Sequence, residues 1–138
     1  MFDVCLVATP GQHWEQQWSY LLSHFKPRTI YVIGQLDRRV RPFSAYQSVK
    51  TAEDVPGPMV LMIPENGVNF PGETPLPEFV HPDECCYMFG ADNIHLSEDH
   101  LGARLPEHRV YIPTATKDTM YSFMAGAVTL WDREMKRG

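Results

Sequence analysis

Residues 2–33 read FDVCLVATPGQHWEQQWSYLLSHFKPRTIYVI, and this stretch limits the fold more than any other. Phe2–Ala8 is a short apolar run rich in β-formers, ended by Thr9-Pro10-Gly11. In Gln12–Phe25, the residues Trp14, Trp18, Leu21, Leu22 and Phe25 fall at i, i+4, i+7, i+8 and i+11, one face of a helix. Lys26-Pro27 stops that helix, because proline lacks the amide and clashes with the preceding turn. Thr29–Ile33 is a second strand closed by Gly34. A strand, a helix and a strand this close together imply parallel pairing through a right-handed crossover.

The remainder extends the same scheme. Ser44–Val55 is expected as a short helix, followed by the breaker Pro56-Gly57-Pro58. Met59–Ile63 is the most hydrophobic run and reads as a central strand buried on both faces. Pro64–Asp83 carries five prolines and two glycines, which leave room for little more than a turn near Pro77–Val80. It is either a functional loop, such as a lid or substrate contact, or a plain crossover. Cys85–Phe89 and Arg109–Ile112 are the fourth and fifth strands, cut off by Gly90 and Pro113. Between them, Leu96–Leu101 is one helical turn with Ser97 as N-cap and Gly102 as stop. The last helix spans Met120–Met135, with Asp118 or Thr119 as N-cap and Met120, Phe123, Met124, Ala127, Val128 and Trp131 on one face. The small residues Ala125-Gly126-Ala127 allow close approach of another element, such as a second subunit, and Arg133, Lys136 and Arg137 suit the helix C-terminus. The expected fold is thus one α/β domain over residues 1–138, a five-stranded, mostly parallel sheet with helices on both faces. Two strands that stop abruptly mark the edge where such sheets place ligands.

Composition narrows the setting. At 138 residues and 43% hydrophobic, the chain supports one packed core. No apolar run approaches the roughly 18 residues that span a bilayer, so no membrane is expected. Met1–Gly11 lacks a basic segment before its apolar run and reads as a strand rather than a signal peptide. Three cysteines, Cys5, Cys85 and Cys86, all in expected strands and without metal-type spacing, point to reduced thiols and a cytoplasmic setting. Adjacent Cys85 and Cys86 point to opposite faces and do not suit a mutual disulfide. His95 and His100 lack i, i+4 spacing and a third ligand, so no metal is expected. The formal net charge of −5 argues against coating nucleic acid by bulk charge. Arg38, Arg39 and Arg41 nevertheless cluster after the second strand, as a solvated loop or as phosphate contacts.

Taken in order, Gly90-Ala91-Asp92 after strand four, Ile112-Pro113-Thr114 after strand five, and Thr119-Met120-Tyr121 opening a small-residue helix that ends Leu130-Trp131-Asp132-Arg133 resemble the motifs of the SPOUT (SpoU–TrmD) RNA methyltransferases, SpoU-like branch. The motifs cover about the last third of the chain, and the whole chain fits that domain in length and element order. The resemblance implies a C-terminal trefoil knot that holds S-adenosylmethionine. It assigns cofactor contacts to Gly90, Asp92, Ile112, Thr114, Thr119 and Met120. It implies an RNA substrate, tRNA or rRNA with ribose 2′-O as one acceptor, and a homodimer through the first and last helices, where Trp14, Trp18 and the Ala125–Ala127 patch would serve.

The catalytic end departs from the family. Where SpoU-like enzymes carry N-x-G-x-x-x-R after strand one, this chain has Gln12, Trp14 and Trp18, so the arginine is missing. The family glutamate is Asp92, and an asparagine is replaced by Tyr121. The acceptor-activating group is then sought in Asp118, Tyr121 or Arg39, with His13 also in reach, and RNA phosphates in Arg38, Arg39 and Arg41. Alternatively, the chain binds cofactor, RNA or a protein without catalysis, or it is an unknotted flavodoxin-like domain.

Overall fold

The computed structural model describes residues 1–8, 14–34, 46–67, 69–91, 96–116 and 120–137, with Trp14 placed as backbone only. Its strands are β1 (Phe2–Val7), β2 (Ile30–Ile33), β3 (Gln47–Val49), β4 (Met59–Met62), β5 (Thr74–Pro75), β6 (Cys85–Phe89) and β7 (His108–Tyr111). The helices are α1 (Trp14–Phe25), α2 (Glu98–Leu101) and α3 (Ser122–Arg137). One seven-stranded sheet runs β3-β2-β1-β6-β4-β7-β5, and the pairings are parallel.

Seven strands replace the expected five. The additional ones, β3 and β5, occupy the two edges of the sheet. Each is too short and too polar or proline-bearing to show a strand pattern, and proline is tolerated at an edge because no outer neighbour needs its amide. The helix expected over Ser44–Val55 is also corrected. Its described part is β3, paired to Tyr31–Ile33, followed by a 3₁₀ turn at Ala52–Asp54. Thr51 Oγ1 caps that turn by accepting from the Glu53 amide at 3.2 Å. Pairing to an existing strand outweighs the modest helix propensity here.

The three central strands β1, β6 and β4 are buried throughout, as continuous apolar runs demand. Alternate residues divide between two cores. Phe2, Val4, Leu6, Tyr87 and Phe89 pack with Trp18, Leu22 and Leu130 beneath α1 and α3. Cys5, Val7, Leu61, Cys86 and Met88 pack with Ala52, Val55 and Leu101 on the other side. Helical elements therefore cover both faces, and Cys85 and Cys86 fall in different cores. Burial raises the thiol of Cys5 to about 12 and pushes those of Cys85 and Cys86 up as well. Pro64–Asp83 takes the crossover form over much of its length, carrying β5 and a 3₁₀ turn at Leu76–Glu78. α2 forms as expected, with Ser97 as N-cap and His100 Nδ1 accepting from the Ser97 amide at 3.1 Å. His100 is thus a capping residue rather than a free loop histidine.

α3 presents a different face from the expected one. Gly126, Thr129, Leu130 and Arg133 are buried, whereas Met124 (46%), Val128 (41%), Trp131 (58%) and Met135 (57%) are exposed. The reason is Trp18. Its ring lies so close to Gly126 that a Cβ there would sit 2.4 Å from Cη2. Gly126 thus accommodates a tryptophan of the same chain, and Trp18 is 1% exposed.

The far end of α3 is fixed by a buried polar network. Arg133 Nη1 donates to Pro82 O at 2.7 Å and to Tyr87 Oη at 2.9 Å, while Nη2 donates to Asp83 O at 2.8 Å. Its guanidinium also lies 5.3 Å from the Phe2 ring centroid. Because Arg133 occupies Tyr87 as an acceptor, the phenol donates to His81 Nδ1 (2.7 Å), and His81 Nε2–H donates to Asp132 Oδ2 (2.7 Å). Lys136 Nζ donates to Leu76 O (2.6 Å) and Phe79 O (2.9 Å). The basic residues assigned to the helix dipole from sequence thus also tie α3 to the 76–83 segment.

Two outcomes follow from this packing. Gly126→Ala should lower stability by about 1–3 kcal/mol by overpacking, although glycine-to-alanine normally favours a helix. The double variant Gly126→Ala/Trp18→Phe should recover part of the loss in chemical denaturation. Burial lowers the His81 pKa below its ordinary 6.5, against the opposing pull of Asp132. The native state then binds fewer protons than the unfolded chain, so this contribution is complete above pH 6.5 and is lost as pH falls below it. His81→Gln should flatten that limb of the denaturation midpoint against pH.

Candidate functional site

The carboxyl ends of β6, β4 and β7 are level. Met62 pairs with both Phe89 and Val110, which aligns the following residues Gly90, Ile63 and Tyr111, with Ile112 one step beyond. Gly90 and Ile112 thus flank the end of β4. Among the described residues, a Cβ built on Gly90 would meet only Leu96 Cβ, at 3.9 Å. Ile112 is half-buried and packs against the same core as Phe89 and Phe123.

The third component is the start of α3, which Trp18 positions. The indole Nε1–H donates to Ser122 Oγ at 3.2 Å, and the ring lies 5.0 Å from that of Phe89, the residue before Gly90. Met120, half-buried, and Tyr121, exposed at 62%, immediately precede this anchored turn. Trp18 thus brings the start of α3 beside the end of β6, the strand that Gly90 follows. Thr114 lies just past β7 and is exposed. Asp92, Asp118, Thr119, Arg38, Arg39, Arg41, Gln12 and His13 lie outside the described residues.

Trp18, which stands where the sequence resemblance implies an arginine, is a neutral indole committed to Ser122 and Gly126. No guanidinium acts from Trp18, and its burial fills the space between α1 and α3. One residue passed over in the sequence is Glu15, which is buried in the first turn of α1. It lies three residues before Trp18 and seven before Leu22, on the same helical face, and that spacing is the signal that would have found it. The helix dipole favours a carboxylate there.

This edge combines main-chain groups with apolar and aromatic side chains, a suitable environment for a flat heterocycle with polar rims. Nucleophilic cysteine chemistry is excluded by the buried, high-pKa thiols. Among the described residues, no group of three His, Cys, Asp or Glu is arranged to hold a metal. None of the described helices is long and apolar enough to cross a membrane. A recess of about 360 Å³ lies at the opposite edge beside Phe2, Phe25, Lys26 and Arg133, where Arg133 is engaged with backbone carbonyls.

No family model matches the sequence, and no curated protein matches it. Solved structures do share the fold. The SpoU methyltransferase AviRb from Streptomyces viridochromogenes, in complex with the cofactor AdoMet, superposes with a TM-score of 0.73 at 14% identity over 98% of this chain and 57% of that chain. An RNA 2′-O ribose methyltransferase gives 0.67 at 18% identity over 96% of this chain and 56% of that one. A protein described in terms of 2-OH methylation of C/U34 on tRNA gives 0.67 at 16% identity, over 99% of this chain and 97% of that one. The chain has the α/β fold of SpoU methyltransferases, as its motifs implied. It spans 57% of the length of AviRb and 97% of the length of the tRNA-related protein.

The Trp18–Ser122 bond supplies a direct check. Ser122→Ala removes the acceptor of a buried indole N–H and should cost about 1–3 kcal/mol in chemical denaturation. An S-adenosylhomocysteine titration of the same variant should show weaker binding if the start of α3 shapes the site.

Proposed function

We propose that the chain is an S-adenosylmethionine-dependent RNA methyltransferase whose C-terminal part is knotted as in SPOUT proteins. The observation that carries this reading is the agreement between the motif residues and the geometry. Gly90 and Ile112 follow the strands that flank β4, and Met120 precedes the turn of α3 that Trp18 holds near Phe89, in a chain that superposes over 98% of its length on an AdoMet-bound methyltransferase. When bound, the cofactor supplies an electrophilic methyl on a sulfonium.

The chain's own part is to hold and orient. Backbone groups at Gly90, Ile112 and Met120, aided by Asp92, Thr114 and Thr119, grip the cofactor. Arg38, Arg39 and Arg41 clamp RNA phosphates. Asp118, with Arg39 and Tyr121 as further candidates, accepts or steers the acceptor proton. Methyl transfer depends chiefly on aligning acceptor, carbon and sulfur, so a site built from main-chain groups is adequate. A ribose 2′-hydroxyl of tRNA or rRNA is the acceptor favoured by the motifs. The protein acts in the cytoplasm as a homodimer, for which the exposed Met124, Val128, Trp131 and Met135 stripe of α3 offers an apolar contact face, with Tyr20 of α1 also exposed. One observation favours a second reading. Trp18 removes the family cation, as expected of a chain that keeps the cofactor fold and binds without catalysis.

Calorimetry with S-adenosylhomocysteine should show saturable binding in wild type and its loss in Gly90→Val at unchanged melting temperature. No binding at millimolar ligand overturns the reading. Binding without transfer of labelled methyl to total RNA selects the non-catalytic alternative. For the assembly, Trp131→Asp should halve the mass seen by light scattering, and an unchanged mass would place the contact elsewhere.

A further inference from the structure

We infer that Tyr121 is the platform on which an unpaired nucleobase of the substrate stacks, so that the chain takes RNA presented as a single-stranded loop rather than a continuous duplex. This rests on the RNA-methyltransferase reading above and deepens it.

The placement of Tyr121 is specific. It precedes the first residue of α3, next to Met120, and its carbonyl accepts from the Ala125 amide at 3.1 Å, which ties its backbone into the first turn. Its ring is supported from within. Tyr121 and Phe123 stack with centroids 6.5 Å apart and planes 22° from parallel. Phe123 in turn packs against the core beneath α1 and α3. Despite this support, Tyr121 stays 62% exposed. An exposed aromatic ring stacked near-parallel to a core-anchored neighbour is organised to receive another flat ring.

The charge balance supports the same conclusion. With a net charge of −5, the protein gains little from bulk counterion release, so RNA affinity needs a contribution that does not depend on charge. Base–aromatic stacking supplies one and tolerates any base. In an A-form duplex the base faces are already stacked, and only a splayed nucleotide can lie on Tyr121. The stacking itself is binding alone and makes or breaks no bond.

The test uses the full chain with S-adenosylhomocysteine and two dye-labelled probes, an RNA hairpin with an unpaired loop and a continuous duplex of the same composition, read by fluorescence anisotropy. Wild type should prefer the hairpin. Tyr121→Ala should weaken hairpin binding roughly tenfold, equally at low and high salt, and leave duplex binding, S-adenosylhomocysteine affinity, melting temperature and mass unchanged. Tyr121→Phe and Tyr121→Trp should retain wild-type affinity. Equal hairpin binding by wild type and Tyr121→Ala overturns the inference and leaves the methyltransferase reading intact. A fall in mass would assign Tyr121 to the subunit contact, and a loss of S-adenosylhomocysteine binding would assign it to the cofactor wall; either overturns the inference. Wild type that binds S-adenosylhomocysteine but neither RNA overturns the RNA reading and the inference together.

Discussion

The architecture depends on one indole. Trp18 lies between α1, α3 and the end of β6, against Gly126 on one side and Phe89 on the other, with its N–H satisfied by Ser122. An aromatic of this size can be buried there only because the facing helix carries a residue without a Cβ, and its polar atom is tolerated only because an acceptor is at hand. The same contact sets where α3 begins. It therefore sets where Met120 and Tyr121 stand relative to Gly90 and Ile112.

The opposite end of α3 is held by different means. Arg133 is a buried cation whose desolvation is offset by two backbone carbonyls and a phenol rather than by a carboxylate. Through Tyr87 and His81 the network reaches Asp132 and Lys136, so a single helical turn is tied to β6 and to the segment before it. One end of α3 is fixed by shape and the other by hydrogen bonding. Between them the helix has little freedom to shift, and the site at its amino end inherits that rigidity.

This division bears on function. The carboxyl edge is built from main chain, aliphatic and aromatic groups, and Trp18 is committed to packing beside it.

Much of this was legible in the sequence. The alternation in Cys85–Phe89 sent two neighbouring cysteines to opposite cores, and the apolar runs of β1, β4 and β6 gave the buried centre of the sheet, because local side-chain period fixes facing. Gly90 and Pro113 marked the strand ends at the ligand edge. What periodicity does not encode is which face of an amphipathic helix meets the protein. Met124, Val128 and Trp131 looked like the core face of α3, yet the buried face is Gly126, Thr129, Leu130 and Arg133. That choice rests on Trp18, more than a hundred residues away in sequence. The edge strands β3 and β5 were likewise invisible, since their order comes from a neighbour rather than from their own composition. The sequence alone determined the five inner strands and the motifs along their carboxyl edge. Only tertiary packing decided which small, polar and charged residues of α3 would be buried, because steric fit and hydrogen-bond satisfaction between distant residues exist only once the chain has folded.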